Sequence, residues 1–205
     1  MESKEKREAG LHGFKRQQIL NAAKSLFAAK GLDGTTMRAI ATEAGYSVGA
    51  AYSYYQSKDD IFAALLADSL SDLGRYIKMS VRKNGYPEEI ITGAFIAFHR
   101  FFSDRPEERR LCLTLFGAAS SAIEGNSAEK ALSSKLLGVL GYLATILHEQ
   151  SSFSAAKAQN ETIDAVTYMT GVLLLGSSGH LTAMGQREEE MIDRYMKEML
   201  LRTRT

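Results

Sequence analysis

Arg38, Tyr52, Tyr54 and Lys58 are the side chains whose types and spacing best fit one chemical task, the holding of a polyanion. The Arg38 guanidinium can hydrogen-bond guanine or a phosphate, whereas Val48 and Ala50 can meet only a thymine methyl. The hydroxyls of Tyr52 and Tyr54 can reach phosphates, and Lys58 puts a charge at a helix N-terminus, where phosphate is doubly favoured. Catalysis has no comparable set. The sequence has no glycine-rich phosphate loop, no Cys-x-x-Cys, no His-Glu-x-x-His and no Gly-x-Ser-x-Gly, so neither an enzyme nor a bound cofactor is expected. His99, His148 and Cys112 are too far apart in sequence to indicate a metal site, and Cys112 sits in an apolar stretch that suits a structural thiol.

The elements that must position these groups are legible in residues 35–58. Thr36 can cap a helix in which Met37, Ile40, Ala41 and Ala44 recur at helical spacing. Gly45 can end it in the left-handed conformation. Ser47 can cap a second, short helix over 48–54 that carries Gly49, Ala50 and Ala51. Three small residues in a row make a weak core helix but let its backbone come close to a surface. Helix, short turn with glycine, short helix is the pattern of a helix-turn-helix, whose second helix enters the major groove.

Taken together, Thr35-Thr36-x-x-x-Ile40-Ala41, Ala44-Gly45-x-Ser47-x-Gly49, Ala51-Tyr52, Tyr55 and Ser57-Lys58 resemble the DNA-binding domain of TetR-type transcriptional regulators, over about residues 14–65. Val48 departs from the polar or basic residue frequent in that family, and Ala51 from the usual Leu or Ile. The resemblance implies an all-α fold: an N-terminal three-helix helix-turn-helix domain, then a larger helical ligand-binding and dimerisation domain. It implies that Thr36, Arg38, Ser47, Val48, Gly49, Ala50 and Tyr52 face DNA, with Tyr54 and Lys58 on the backbone and Tyr55 in the core. It also implies a ligand cavity among the later helices, where Phe95, Phe98, His99, Phe102, Leu115, Phe116 and Tyr142 are the candidate lining. Aromatic residues at helical spacing are equally ordinary core. The last two helices are expected to pair with their copies, where Val172, Leu173, Leu174 and Leu175 supply apolar area and Gly171, Gly176 and Gly179 allow close approach. The expected protein is a ligand-responsive repressor. It binds a palindromic operator in double-stranded DNA as a homodimer and is released by a hydrophobic or amphipathic small molecule. An activator, or a helical small-molecule-binding protein, would use the same parts.

The rest of the chain is consistent with that frame. At 205 residues, 45% of them hydrophobic, it can bury a substantial core. One cysteine excludes an intrachain disulfide and fits a reducing cytoplasm. Residues 1–58 hold nine Lys/Arg against five Asp/Glu, a balance of +4, while the remainder holds 16 against 19. The positive end therefore carries the helix-turn-helix, as phosphate binding favours. Residues 1–10 are charged, show no signal peptide and read as a flexible arm, 11–58 as the DNA-binding domain and 59–205 as the ligand and dimer domain. Helices are predicted over 14–30, 57–81, 88–103, 107–124, 128–150, 156–184 and 187–202. The uncharged run 165–185 is long enough to span a bilayer, but its Thr, Ser, His and Gly residues fit a buried contact helix better, so no membrane is expected.

Overall fold

Why the first helix starts so early follows from composition. The computed structural model describes residues 2–82, 84–117 and 127–204, and gives side chains for all of these except 2–6, 8–9, 115–117 and 127–129. Helix α1 (Glu2–Lys30) begins twelve residues before the predicted start at Phe14, so the segment read as an irregular arm is helical. The reason is that Glu, Lys, Arg and Ala are all strong helix formers, and their charge need not prevent helix formation. Ile19, Leu20, Ala22, Ala23 and Phe27 form the buried stripe of α1.

Helix α2 (Met37–Glu43) buries Met37, Ile40 and Ala41, and α3 (Val48–Tyr52) buries Ala51. Helix α4 (Lys58–Ser80) starts at a serine cap, with the Asp60 backbone N–H donating to Ser57 Oγ at 3.0 Å. Phe27 and Phe62 meet edge to face at 5.7 Å. Burying one such ring contributes about 1.5–3 kcal/mol. The chain divides into two compact units inside α4, after Asp68; the first holds α1 to α3, the start of α4 and α7 through Leu132, and the second holds the rest.

In the second unit, α5 (Pro87–Ser103) opens on Pro87, whose missing N–H is no loss in a first turn. It is followed by α6 (Pro106–Gly117), α7 (Ser127–Glu149), α8 (Ala155–Ser177), α9 (His180–Ala183) and α10 (Glu188–Thr203). The predicted end of α6 at 124 lies outside the described residues. No strand occurs among the described residues, and the class is all-α. Helix α8 packs on α5 and α10 through Ala158, Ala165, Met169, Val172 and Leu173.

The single helix predicted over 156–184 is two. Ser177 and Ser178 turn their hydroxyls back onto the Leu174 and Leu175 carbonyls, and Gly179 takes φ 74°. Side-chain hydroxyls that bind the helix's own backbone compete with its continuation. The uncharged run 165–185 is therefore not one span. Lys130–Glu149 is long and apolar enough by length and composition to cross a bilayer, yet Leu132, Val139, Leu143, Ile146 and Leu147 on it are buried in the protein.

Candidate nucleic-acid interface

The turn between α2 and α3 is built by backbone geometry. The Tyr46 N–H donates to the Ala41 carbonyl at 2.8 Å and the Gly45 N–H to Thr42 at 3.1 Å, with Gly45 at φ 76°. This is a Schellman closure, which needs a left-handed residue at that one position. Thr36 Oγ1 accepts from the Ala39 N–H and Ser47 Oγ from the Ala50 N–H, both at 3.2 Å. Each hydroxyl thus satisfies a helix N-terminus. Helix α3 is two residues shorter than predicted, because the Ser53 hydroxyl takes the Ala50 carbonyl and the chain then turns into the loop before α4.

The candidate residues fall into distinct environments. Thr36, Arg38, Ser47, Gly49 and Tyr52 are exposed, whereas Val48 and Ala50 are half-buried. Tyr52 is 51% exposed, against 5% for Tyr55, which separates the two tyrosines as surface and core. Tyr54 is half-buried with its ring 4.7 Å from that of His12. Lys58 has a task that its sequence position does not announce. Its ammonium donates to the Leu32 carbonyl at 2.8 Å, tying the start of α4 to the loop after α1, and two of its three N–H donors are left for other acceptors.

The residues predicted to line a ligand cavity are packed core. Phe95, Phe98, His99 and Phe102 are all under 5% exposed. Phe98 and Phe101 each meet Phe102 edge to face, at 5.4 and 5.1 Å. Tyr142 is half-buried beneath the Lys78 ammonium at 5.3 Å. The side chains of Leu115 and Phe116 lie outside the described residues. The cavities of this unit are lined by other residues: one of about 330 Å³ by Leu140, His148 and Thr162 among others. Another, of about 540 Å³, is lined by residues including Arg109, Leu113 and Thr114.

Sequence reasoning missed the polar centre of this unit. Glu188, at the start of α10, receives Arg109 of α6 at 2.7 Å on one carboxylate oxygen. Its other oxygen lies 3.2 Å from His99 Nε2 and 3.4 Å from the Ser103 hydroxyl. Arg109 also donates from Nε to the Leu173 carbonyl of α8 at 3.1 Å. Burial lowers the His99 imidazole from its ordinary value, against the pull of the Glu188 carboxylate. Burial also pushes the Cys112 thiol up to about 12, which leaves it unreactive. No local pattern could have paired residues so distant in the chain.

The fold defines a class: a helix-turn-helix unit and an all-helical unit, with α4 and α7 each crossing the division. Residues 19–65 match the family model described as bacterial regulatory proteins, tetR family. It is 37% identical over 84 residues to the HTH-type transcriptional repressor KstR2 of Mycolicibacterium smegmatis, a stretch covering 40% of each chain. It is 39% identical over 62 residues, 30% of each chain, to the uncharacterized HTH-type transcriptional regulator YfiR of Bacillus subtilis. The alignments thus span well under half of these relatives. A transcriptional regulator from Rhodococcus sp. shares the fold at a TM-score of 0.74 and 19% identity, over 93% of this chain and 98% of that one.

Proposed function

We propose that this protein is a transcriptional repressor that binds a palindromic duplex operator as a homodimer in the cytoplasm and is released by a small molecule. The observation that carries the reading is the exposed set Thr36, Arg38, Ser47, Gly49 and Tyr52 on two capped helices over a buried apolar base. In this reading Arg38 contacts guanine or phosphate, Val48 and Ala50 meet thymine methyls, and Tyr52, Tyr54 and Lys58 hold the backbone. A helix of five residues reads too few bases to find a site in a genome, so two copies about 34–36 Å apart read successive major grooves. Repression follows because a protein seated on a promoter blocks polymerase without further parts.

A hydrophobic or amphipathic effector would act among α5 to α8; to meet Phe95, Phe98, His99, Phe102 and Tyr142, with Leu115 and Phe116 on the same expected wall, it would have to open the packing of the first four. It shifts DNA affinity only by preferring one arrangement of the reading helices over another. Helix α4, continuous across the division between the units as α7 also is, is the element that could transmit that shift. Selection of duplexes from a random pool, followed by titration at several salt concentrations, tests the DNA reading. A two-fold symmetric selected site with a steep loss of affinity in salt is expected. Failure to enrich any sequence, with binding insensitive to salt, would refute it.

A further inference from the structure

The first unit holds a cavity whose lining includes no residue of α2 or α3. Its volume is about 470 Å³, and it lies between α1, the loop after α3, the first part of α4 and Ala131 of α7. Ala63, Ala64 and Ala67 give it a shallow apolar floor, and Tyr54 and Tyr55 give it aromatic walls. Asp60 and Asp68 put two carboxylates in the lining against one cation, Arg16. The size is within the range of small-molecule sites.

Two observations concern Tyr55. Its hydroxyl is buried and has no hydrogen-bond partner among the described residues, a state that proteins rarely leave uncompensated. The Arg16 guanidinium, on an exposed side chain, sits 5.1 Å from the centre of the same ring. A cation over a tyrosine face is held by the ring quadrupole. Arg16 can swing into solvent and leave the ring face to another cation. The phenol remains protonated throughout: burial pushes it up to about 12, with Arg16 lowering and Asp68 raising it.

We infer that this cavity binds a small amphipathic organic cation, which replaces Arg16 over Tyr55 and donates a hydrogen bond to the Tyr55 hydroxyl while its apolar body covers the alanines. Asp60 and Asp68 favour the positive charge, and each carboxylate accepts several hydrogen bonds, so contacts already made leave room for another donor. The site is independent of the effector region proposed for the second unit. No bond is made or broken in this binding.

Calorimetric titration of the full chain with phenethylammonium tests it, with neutral phenethyl alcohol as the comparison. Saturable binding of one cation per chain is expected, with the alcohol about tenfold weaker or worse. Tyr55→Phe should weaken the cation about tenfold. It should melt no lower than the parent chain, because it removes an unpaired hydroxyl. Ala64→Leu should block the floor, and Arg16→Ala should bind more tightly. Absence of saturable heat, equal affinity for cation and alcohol, or unchanged affinity in both Tyr55→Phe and Ala64→Leu overturns the site. A Tyr55→Phe chain that melts clearly lower overturns the premise that the hydroxyl is unpaired.

Discussion

Burial, opposed by Glu188, sets what His99 does on titration. Burial opposes the imidazolium more than the Glu188 carboxylate favours it, so the folded state holds His99 below its ordinary value of 6.5. Between the folded and unfolded values the unfolded chain binds more protons, so stability falls as pH falls. The His99 contribution is complete above about pH 6.5 and is lost as acid brings the medium toward the lowered folded value. Thermal melts of wild type and His99→Gln between about pH 7.5 and about pH 5 should show a shallower slope for the variant. Parallel slopes would place the titration elsewhere.

At the same scale, Arg38→Ala should change the selected base preference, whereas Lys58→Ala should weaken all duplexes and flatten the salt slope by about one unit. Lys58→Ala should also lower the melting temperature, since it uncaps the Leu32 carbonyl. Val48→Lys should move preference toward guanine. A selected sequence that is the same for Val48→Lys and wild type would mean position 48, half-buried in the free protein, never reaches a base.

Among the elements, the α2–turn–α3 unit separates folding from binding in two of its glycines. Gly45 holds the turn at φ 76°, and a side chain there costs about 1–2 kcal/mol, so Gly45→Ala should melt earlier. Gly49 is different. It lies inside α3, and a Cβ added to it meets nothing within 4 Å. Gly49→Ala should therefore stabilise the helix by about 1 kcal/mol while weakening duplex binding, because the added methyl stands where a DNA backbone would approach. Higher melting with undiminished affinity would show that α3 does not approach the duplex on that side. Helix α8 carries its own division of labour: Val172 and Leu173 are buried within the protomer, while Leu174 is 52% and Leu175 38% exposed. Four consecutive apolar residues were expected to serve a dimer contact. Helical geometry turns two of them inward.

For the whole molecule, exposed Ile163, Leu174 and Leu175 on α8 and Leu201 on α10 are the apolar area available to the proposed homodimer through the last two helices. Gly171 has open space around it, but a side chain at Gly176 would strike Glu188 and Arg109 of the same chain. Gly176 therefore accommodates packing within one subunit, and Gly176→Glu is a poor probe of assembly. Leu174→Glu is the cleaner variant. Sedimentation should give folded monomers with lost operator affinity, because one reading helix per particle cannot span two half-sites. A chain that still sediments as a dimer and binds with full affinity would remove this face from the interface.

Local chemistry determined most of the fold. Caps at Thr36, Ser47 and Ser57, the left-handed Gly45 and the apolar stripes act over one or two helical turns, so sequence spacing alone was enough to place α2 to α5. The family resemblance, not spacing, implied a DNA-facing Tyr52 and a core Tyr55, and the two are 51% and 5% exposed. Tertiary structure alone decided the rest. The Glu188 cluster joins residues 79 to 89 positions apart, and Lys58 finds Leu32 across 26. Nothing local encodes such pairs. The break at Gly179 was also hidden, because a glycine in an apolar run reads as a tolerated helix residue until the hydroxyls of Ser177 and Ser178 are seen to take its carbonyls. Whether Phe95 and its neighbours line a void or fill one depends on how closely α5 packs against the helices beside it. That distance is set by side chains from several elements at once and leaves no trace in the spacing of any one.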